Sequence, residues 1–329
     1  MLRRTLLATA IAAPALGACA TTGAPLDPLA ALPADPDSYA RPNEARVTHV
    51  SLDLTADFER KLMAGACTLS IAAKPDAREI VLDTLQLEIA SVRTNLGDAE
   101  WRLGAHNGRH GAPLTIAIGP GVESITIAYQ SGPEAASLQW LAPAQTASGK
   151  PFLFSQGQSI LNRTWIPMQD TPGVRITYDA RIVAPEGLTA VMSAEMLTPQ
   201  GEAAGPGQRA FRFRMPQRIP GYLIALAIGE LTHRDTGGVT GVWAEPSVAD
   251  IAAREFDDMP QMVRVAEALY GAYRWGRYDV LMLPASFPFG GMENPRLTFA
   301  TPTLLAGDKS LNNVIAHELA HSWSGNLVT

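Results

Sequence analysis

From Arg46 onward the chain alternates. Val50, Leu52, Leu54, Ala56 and Phe58 are apolar at every second position, with polar residues between them. The same period of two recurs at Cys67, Leu69 and Ile71, at Leu85, Leu87 and Ile89, at Leu114, Ile116 and Ile118, and at Ile125, Ile127 and Tyr129. Successive side chains of an extended strand point to opposite faces, so each run predicts a strand with one buried face. Clusters of Gly, Pro, Asn and Asp separate the runs. Many short strands at this spacing indicate an antiparallel saddle or sandwich. Residues 174–182 and 211–215 add further strands, and the continuous apolar run 222–228 reads as a buried one.

After Gly237-Gly238 the period changes. Trp243 closes a short strand, and residues 248–256 and 261–273 read as helices. Asp257 or Asp258 is placed to cap the second helix, with Pro260 in its first turn. Its stripe of Met262, Val265, Ala266, Leu269 and Tyr273 is expected to be core. Residues 279–283 and 297–300 read as strands. Leu311, Val314, Ile315, Leu319 and Ser322 then follow a 3.6-residue period, with Asp308 or Ser310 as cap and Gly325 as stop. The expected fold is mixed: an N-terminal antiparallel β domain over residues 44–238, then an α+β domain over residues 239–329.

The last of these helices carries His317-Glu318-Leu-Ala-His321. Two His four apart lie one turn apart on one face, so both imidazoles can reach one zinc ion. Glu318 points close to the same side and can take a proton from water held there. A solvated helix face carrying two His and a Glu is the alternative. Upstream, Gln156 and Gln158 sit two apart, on one face of the strand this stretch predicts. By themselves they read as a solvent-facing pair.

The composition is that of a globular protein: 329 residues, 47% hydrophobic and 18% charged. The formal net charge of −6 gives no electrostatic case for binding nucleic acid. The N-terminus stands apart. Arg3 and Arg4 precede an apolar stretch and then Leu16-Gly17-Ala18-Cys19, which resembles the lipidation signal of an exported bacterial protein. On that reading residues 1–18 are removed, and Cys19 carries lipid and is the membrane contact. Residues 19–43 form a loose tether, and the protein faces the periplasm. An ordinary signal peptide with an incidental Cys is the alternative. Cys67, the other cysteine, alternates with Leu69 and Ile71 and reads as a small buried hydrophobe.

One longer stretch favours the zinc reading. Ser286-Phe-Pro-Phe-Gly290-Gly291-Met292-Glu293-Asn294-Pro295, the segment from Thr301 to Ser310, and His317-Glu318-Leu-Ala-His321 together closely resemble the zinc aminopeptidases of peptidase family M1. The likeness is strongest to their leukotriene A(4) hydrolase / aminopeptidase B branch. It includes Phe154-Ser-Gln156-Gly-Gln158 and Gln169-Asp170-Thr-Pro172. The resemblance implies a β saddle followed by a thermolysin-like catalytic domain. It implies one zinc ion held by His317 and His321, with Glu318 as general base and later proton donor to the leaving amine. Glu293 would bind the free α-ammonium of a peptide substrate, with Gln156 and Gln158 touching the same end. Gly290, Gly291 and Met292 would lie along the peptide.

The family's third zinc ligand is a Glu about nineteen residues beyond the second His. That position, the catalytic Tyr and the C-terminal helical domain fall outside these 329 residues. The expectation is therefore of a piece of a longer protein, holding zinc weakly and inactive by itself. Two further readings are a non-catalytic β-domain binding module with a relic zinc motif, and epoxide hydrolysis in the parent, which only the branch name suggests.

Overall fold

The computed structural model describes residues 27–328; the leader expected at residues 1–18 and Cys19 lie outside them. The alternating segments pair into sheets. Ala45–Asp57 turns Val50, Leu52, Leu54 and Ala56 inward, and all four are buried. It lies between Leu62–Ala73, which is antiparallel to it, and Arg175–Pro185, which is parallel. Past Arg175–Pro185 this sheet continues through Gln208–Pro220 to Glu195–Met196, with Glu202–Ala203 also beside Gln208–Pro220. On the other side it runs from Leu62–Ala73 through Ser124–Gln130 and Glu88–Thr94 to Gly97–Asp98.

The inward parity of Ala45–Asp57 switches once. Ala45 and Val47 are buried, then Val50 and Leu52, and the register shifts between Val47 and His49. One extra residue in a strand has this effect. Buried Gln169 spans the irregularity: its Oε1 accepts from the Val47 N–H at 3.0 Å and its Nε2 donates to the Ala45 carbonyl at 2.9 Å.

Two smaller sheets share the same core. One has the order Thr189–Met192, Leu226–Gly229, Phe152–Ser155, Leu138–Leu141; the other has Glu79–Thr84, Ala112–Ala117, Trp101–Leu103. Cys67 is buried among these apolar residues, as expected, and burial pushes its thiol up. Between the sheets sits a charged cluster. Arg163 Nε is 3.2 Å from Asp170 Oδ2 and its Nη2 is 3.9 Å from Asp83 Oδ2, with all three side chains buried. Burial pushes Asp170 up to about 6, against the pull of Arg163, and raises Asp83 as well.

Asp83 also corrects the expectation of a tether. It accepts from Ser38 Oγ at 2.6 Å and from the Tyr39 N–H at 2.7 Å. The Asn43 carboxamide bonds both the N–H and the carbonyl of Leu32, each at 2.8 Å. The segment from Leu32 to Asn43 is thus seated on the β domain.

A five-stranded mixed sheet follows, in the order Thr232–Gly237, Thr240–Ala244, Tyr278–Met282, Leu297–Ala300, Gly291–Met292. The two junctions flanking Tyr278–Met282 are parallel. Parallel neighbours need a crossover, and α1 (Pro246–Glu255) and α2 (Met259–Tyr270) supply the first. With α3 (Asn312–Ala320) they close a second core around Phe256, Met259, Val280, Ile315 and Leu319. The architecture is the mixed one expected: a β saddle, then the start of an α+β domain.

Local details differ from the sequence reading. Residues 85–89 do not form one strand. Gln86 takes φ 58° and separates Glu79–Thr84 from Glu88–Thr94, which belong to different sheets. Residues 222–228 divide into the 3₁₀ turn Gly221–Leu223 and the strand Leu226–Gly229. Helix α2 ends at Tyr270, where Gly271 turns to φ 90°. Its packed face is Met259, Val263 and Ala266, whereas Val265 and Leu269 are 52% and 68% exposed. α2 is apolar on two sides, and among the described residues only one is covered. Asp258 does stand at the N-cap of α2, without a side-chain bond to it. The N-cap of α3 is Leu311, and Asp308 instead accepts from the Ser310 N–H at 3.0 Å.

Candidate active site

Helix α3 is held along its length. At its start, Asn312 Nδ2 donates to the Glu255 carbonyl at 2.9 Å. The buried Glu255 carboxylate accepts from the N–H groups of Gly307 and Lys309, fixing the approach to the helix. At its middle, the Tyr278 hydroxyl donates to the Ile315 carbonyl at 3.2 Å and accepts from Thr298 Oγ1 at 3.1 Å. Past its end, Trp275 Nε1 donates to the Ser322 carbonyl and Trp323 Nε1 to the Gly271 carbonyl. Ile315 and Leu319 face the core, and this orientation dictates where the intervening residues point.

His317 is exposed and His321 half-buried, and their Nε2 atoms stand 3.2 Å apart. The His321 Nδ1 is 2.9 Å from the Ser324 carbonyl, which can only accept. That nitrogen therefore carries the proton, and the Nε2 lone pair faces His317. Two nitrogens bound about 2.0–2.1 Å from one tetrahedral zinc ion lie roughly 3.3 Å apart. The pair thus has the spacing of metal-binding imidazoles, His321 has the tautomer and a backbone partner that orients it, and the donor set fits the expected zinc.

Glu318 is 7% exposed and turned toward the edge strand Gly291–Met292. A Cβ on Gly291 would run into its carboxyl group. Glycine here is a requirement of space, whereas a Cβ on Gly290 would make only an ordinary contact with Val314. Glu293 directly follows that strand. One ligand atom each from Glu293, Glu318 and His321 lie within 4.8 Å of one another. Burial pushes the Glu318 carboxyl up to about 7, the charge of Glu293 pushes the same way, and His321 pulls it down. A cation on the imidazoles would add to that downward pull. Sequence spacing pairs the two His as ligands; the carboxylates crowd His321 in particular.

The edge strand is short but well fixed. Gly291 pairs with Ala300 and Met292 with Phe299, and the Thr301 N–H donates to the Gly290 carbonyl at 3.2 Å. Met292 is 2% exposed, so its side chain belongs to the core and only its backbone lines the edge. Asn326 Nδ2 donates to the Glu293 carbonyl at 2.9 Å and ties this edge to the turn after α3.

Gln156 and Gln158 are not on one face of a strand. The strand Phe152–Ser155 ends before them, Gln158 lies in a turn, and Gln156 Oε1 accepts from the Gln158 N–H at 3.2 Å. The loop passes close to its neighbours: a Cβ on Gly157 would strike the Tyr222 carbonyl and the Asn162 side chain. Buried Asn162 anchors it, donating through Nδ2 to the Gly221 and Ile224 carbonyls. The Phe154 ring meets Phe287 edge-on, 5.7 Å between centroids, bringing this strand against the segment leading to Gly290.

Sequence reasoning missed three members of this neighbourhood. Tyr222 was read as strand; burial raises its phenol first, and the charge of Glu293 adds to the effect. Ser324 and Asn326 follow the motif in a turn, and both touch it. Their polar, Gly-flanked sequence was the available signal.

The Peptidase M1 N-terminal domain model matches residues 36–223, and the Peptidase family M1 domain model matches residues 254–329. The chain belongs to peptidase family M1. Leukotriene A-4 hydrolase of Xenopus laevis is 43% identical to it over 304 residues, 90% of this chain and 50% of that protein. Aminopeptidase B of Rattus norvegicus is 51% identical over 207 residues, 62% of this chain and 31% of that one. The structure of yeast LTA4 hydrolase in complex with bestatin aligns with this M1 chain at a TM-score of 0.84 and 34% identity, covering 92% of this chain and 48% of that one. These likenesses place the chain in the leukotriene A(4) hydrolase / aminopeptidase B branch. It spans about half the length of the curated relatives it matches. They also overturn one expectation. A bacterial lipoprotein facing the periplasm does not agree with relatives from frog, rat and yeast, all of them eukaryotic.

Proposed function

We propose that this chain carries the leading half of a zinc aminopeptidase site, acting on peptides with a free N-terminus. The observation that carries the reading is the His317–His321 pair at 3.2 Å, with buried Glu318 and the neighbouring Glu293 beside it. On this reading His317 and His321 hold one zinc ion. When bound, zinc would act as a Lewis acid toward the scissile carbonyl and lower the pKa of water.

The chain's own residues do the rest. Glu318 accepts a proton from the attacking water and returns it to the leaving amine. Glu293 supplies a fixed negative charge for the substrate α-ammonium, which restricts cleavage to chain ends. Gln156 and Gln158 present polar groups to that same end, and Gly157 lets their loop approach closely. Gly290, Gly291 and Met292 offer an edge strand along which a peptide backbone can lie.

Paired assays of a free and an N-acetylated peptide test this in a protein carrying these residues within a complete M1 catalytic domain. The free peptide is cleaved and the acetylated one is not; equal rates sink the reading. Metal analysis of the 329-residue chain after dialysis is the companion measurement. Two imidazoles hold zinc weakly, so substoichiometric metal is expected. Tight one-to-one zinc would mean that Glu293 or Glu318 serves as a ligand instead.

A further inference from the structure

A cavity of about 530 Å³ lies where the β domain meets the five-stranded sheet. No residue assigned to the active site lines it, yet it begins three positions after Glu293, at Arg296. Its apolar wall comes from both sides: Met192 and Phe213 from the β domain, Trp243 and Leu297 from the sheet. A volume of a few hundred Å³ with an apolar wall and a few convergent polar groups is the usual form of a small-molecule site.

The polar groups in it are unequally satisfied. Glu195 is paired with Arg214 at 2.8 Å. Asp279 is paired with Arg277 at 2.9 Å, with His233 Nε2 at 3.6 Å. Arg296 makes no ion pair among the described residues. Its Nη1 donates to the Trp275 carbonyl, and its Nε is buried without a partner. Arg296 takes φ 68°, and its guanidinium passes close to Gly276, where a Cβ would strike Nη1. The arrangement holds the part-buried guanidinium in place and leaves Nη2 with no hydrogen bond among the described residues and free to meet a ligand.

We propose that this cavity binds a small organic monocarboxylate, with its carboxylate on Arg296 and its apolar body against Met192, Phe213 and Trp243. A single negative charge matches the one guanidinium lining the cavity that makes no ion pair among the described residues. Glu195 and Asp279 already act on Arg296, so a second negative charge, as on phosphate, would meet their repulsion with no further unpaired cation among the described lining residues. The inference stands apart from the peptidase reading.

Calorimetric titration of the 329-residue chain with 3-phenylpropanoate tests it. Saturable binding is expected with a Kd of about 0.1–1 mM, and the neutral 3-phenylpropanamide should bind at least about tenfold more weakly. Arg296→Gln should weaken the acid by about tenfold or more. That variant also loses the bond to Trp275, so Met196→Trp provides a second route: it fills the cavity from its half-buried rim and should abolish binding with Arg296 intact. His321→Ala should leave the affinity unchanged. Four results overturn the proposal: no saturable binding up to about 10 mM, equal affinity for acid and amide, undiminished binding by Met196→Trp, or loss of binding in His321→Ala, which would place the anion at the His pair.

Discussion

Two buried acidic clusters divide the labour of this molecule. In the β domain, Asp170 and Asp83 flank Arg163, and every side chain in the group is spoken for. Arg163 donates to the Asp170 carboxylate and carbonyl and to the His110 carbonyl, while Asp83 also accepts from Ser38, Tyr39 and the Asp170 N–H. In the α+β domain, Glu318 lies beside a second carboxylate and His321, whose Nε2 converges with that of His317. Burial raises a carboxyl in both places, to about 6 for Asp170 and about 7 for Glu318. In the first cluster the opposing charge is built into the chain. A neighbouring carboxylate adds to the shift in both, Asp83 for Asp170 and Glu293 for Glu318, but in the second a cation fits where the protein supplies only imidazoles. Shifts of similar size thus go with a closed knot of ion pairs in one case and, on the proposed reading, with chemistry in the other, and the difference lies in the partners.

The sharpest way to break this comparison is Arg163→Met. It leaves two buried carboxyls without their cation and should cost about 3–5 kcal/mol in urea unfolding. Recovery of stability at low pH, where both carboxyls are neutral, would identify the charge as the cause. Glu318→Gln should do the opposite: in a complete catalytic domain it lowers kcat by about 10³-fold, roughly 4 kcal/mol, with little change in melting temperature or metal content. A large loss of stability in that variant would put the two clusters in one class.

The Asp170 titration gives a third contrast. Its folded pKa lies above the ordinary carboxylate value, so its stabilising contribution is fully present below about pH 4 and is lost as pH rises through about 6. Unfolding free energy should fall by up to ~3 kcal/mol across that window, and Asp170→Asn should flatten the slope. An unchanged slope would show that Arg163 keeps the carboxyl ionised. The smallest effect is expected from Glu293→Ala, about 10²-fold in kcat/KM on free peptides in a complete domain, near 2.7 kcal/mol, with blocked ones uncleaved by either form. An unchanged kcat/KM on free peptides would remove the ammonium-binding role.

The sequence exposed the sheets more readily than their seams. Val50, Leu52 and Leu54, or Ile125 and Ile127, declare a buried face by alternation alone. The extra residue between Val47 and His49, the break at Gln86 and the turn at Tyr222 do not, because each depends on a partner far along the chain, such as Gln169 for the first. The His pair was legible because its geometry is local to one helix. Glu318 and Gly291 were legible as motif members, but the reason glycine is needed at 291 appears only when strand and helix meet. Gln156 and Gln158 were assigned to a strand because two-apart spacing says nothing about where a strand ends. The exposed side of α2 misled for a related reason: an apolar stripe shows that a face seeks cover, not which residues provide it.

The parallel seam between Ala45–Asp57 and Arg175–Pro185 has a consequence in time. His49 and Thr177 lie side by side although 128 positions separate them in the chain. At ribosomal rates of roughly 5–20 residues per second, the interval between their emergence is about 6–25 s. Throughout it, Ala45–Asp57 can pair with Leu62–Ala73 on one side while its other edge stays open, and an open strand edge invites pairing with another chain. The newborn chain is therefore most prone to aggregate before residues 175–185 arrive, and that hazard is set by the order of synthesis rather than by the stability of the finished fold.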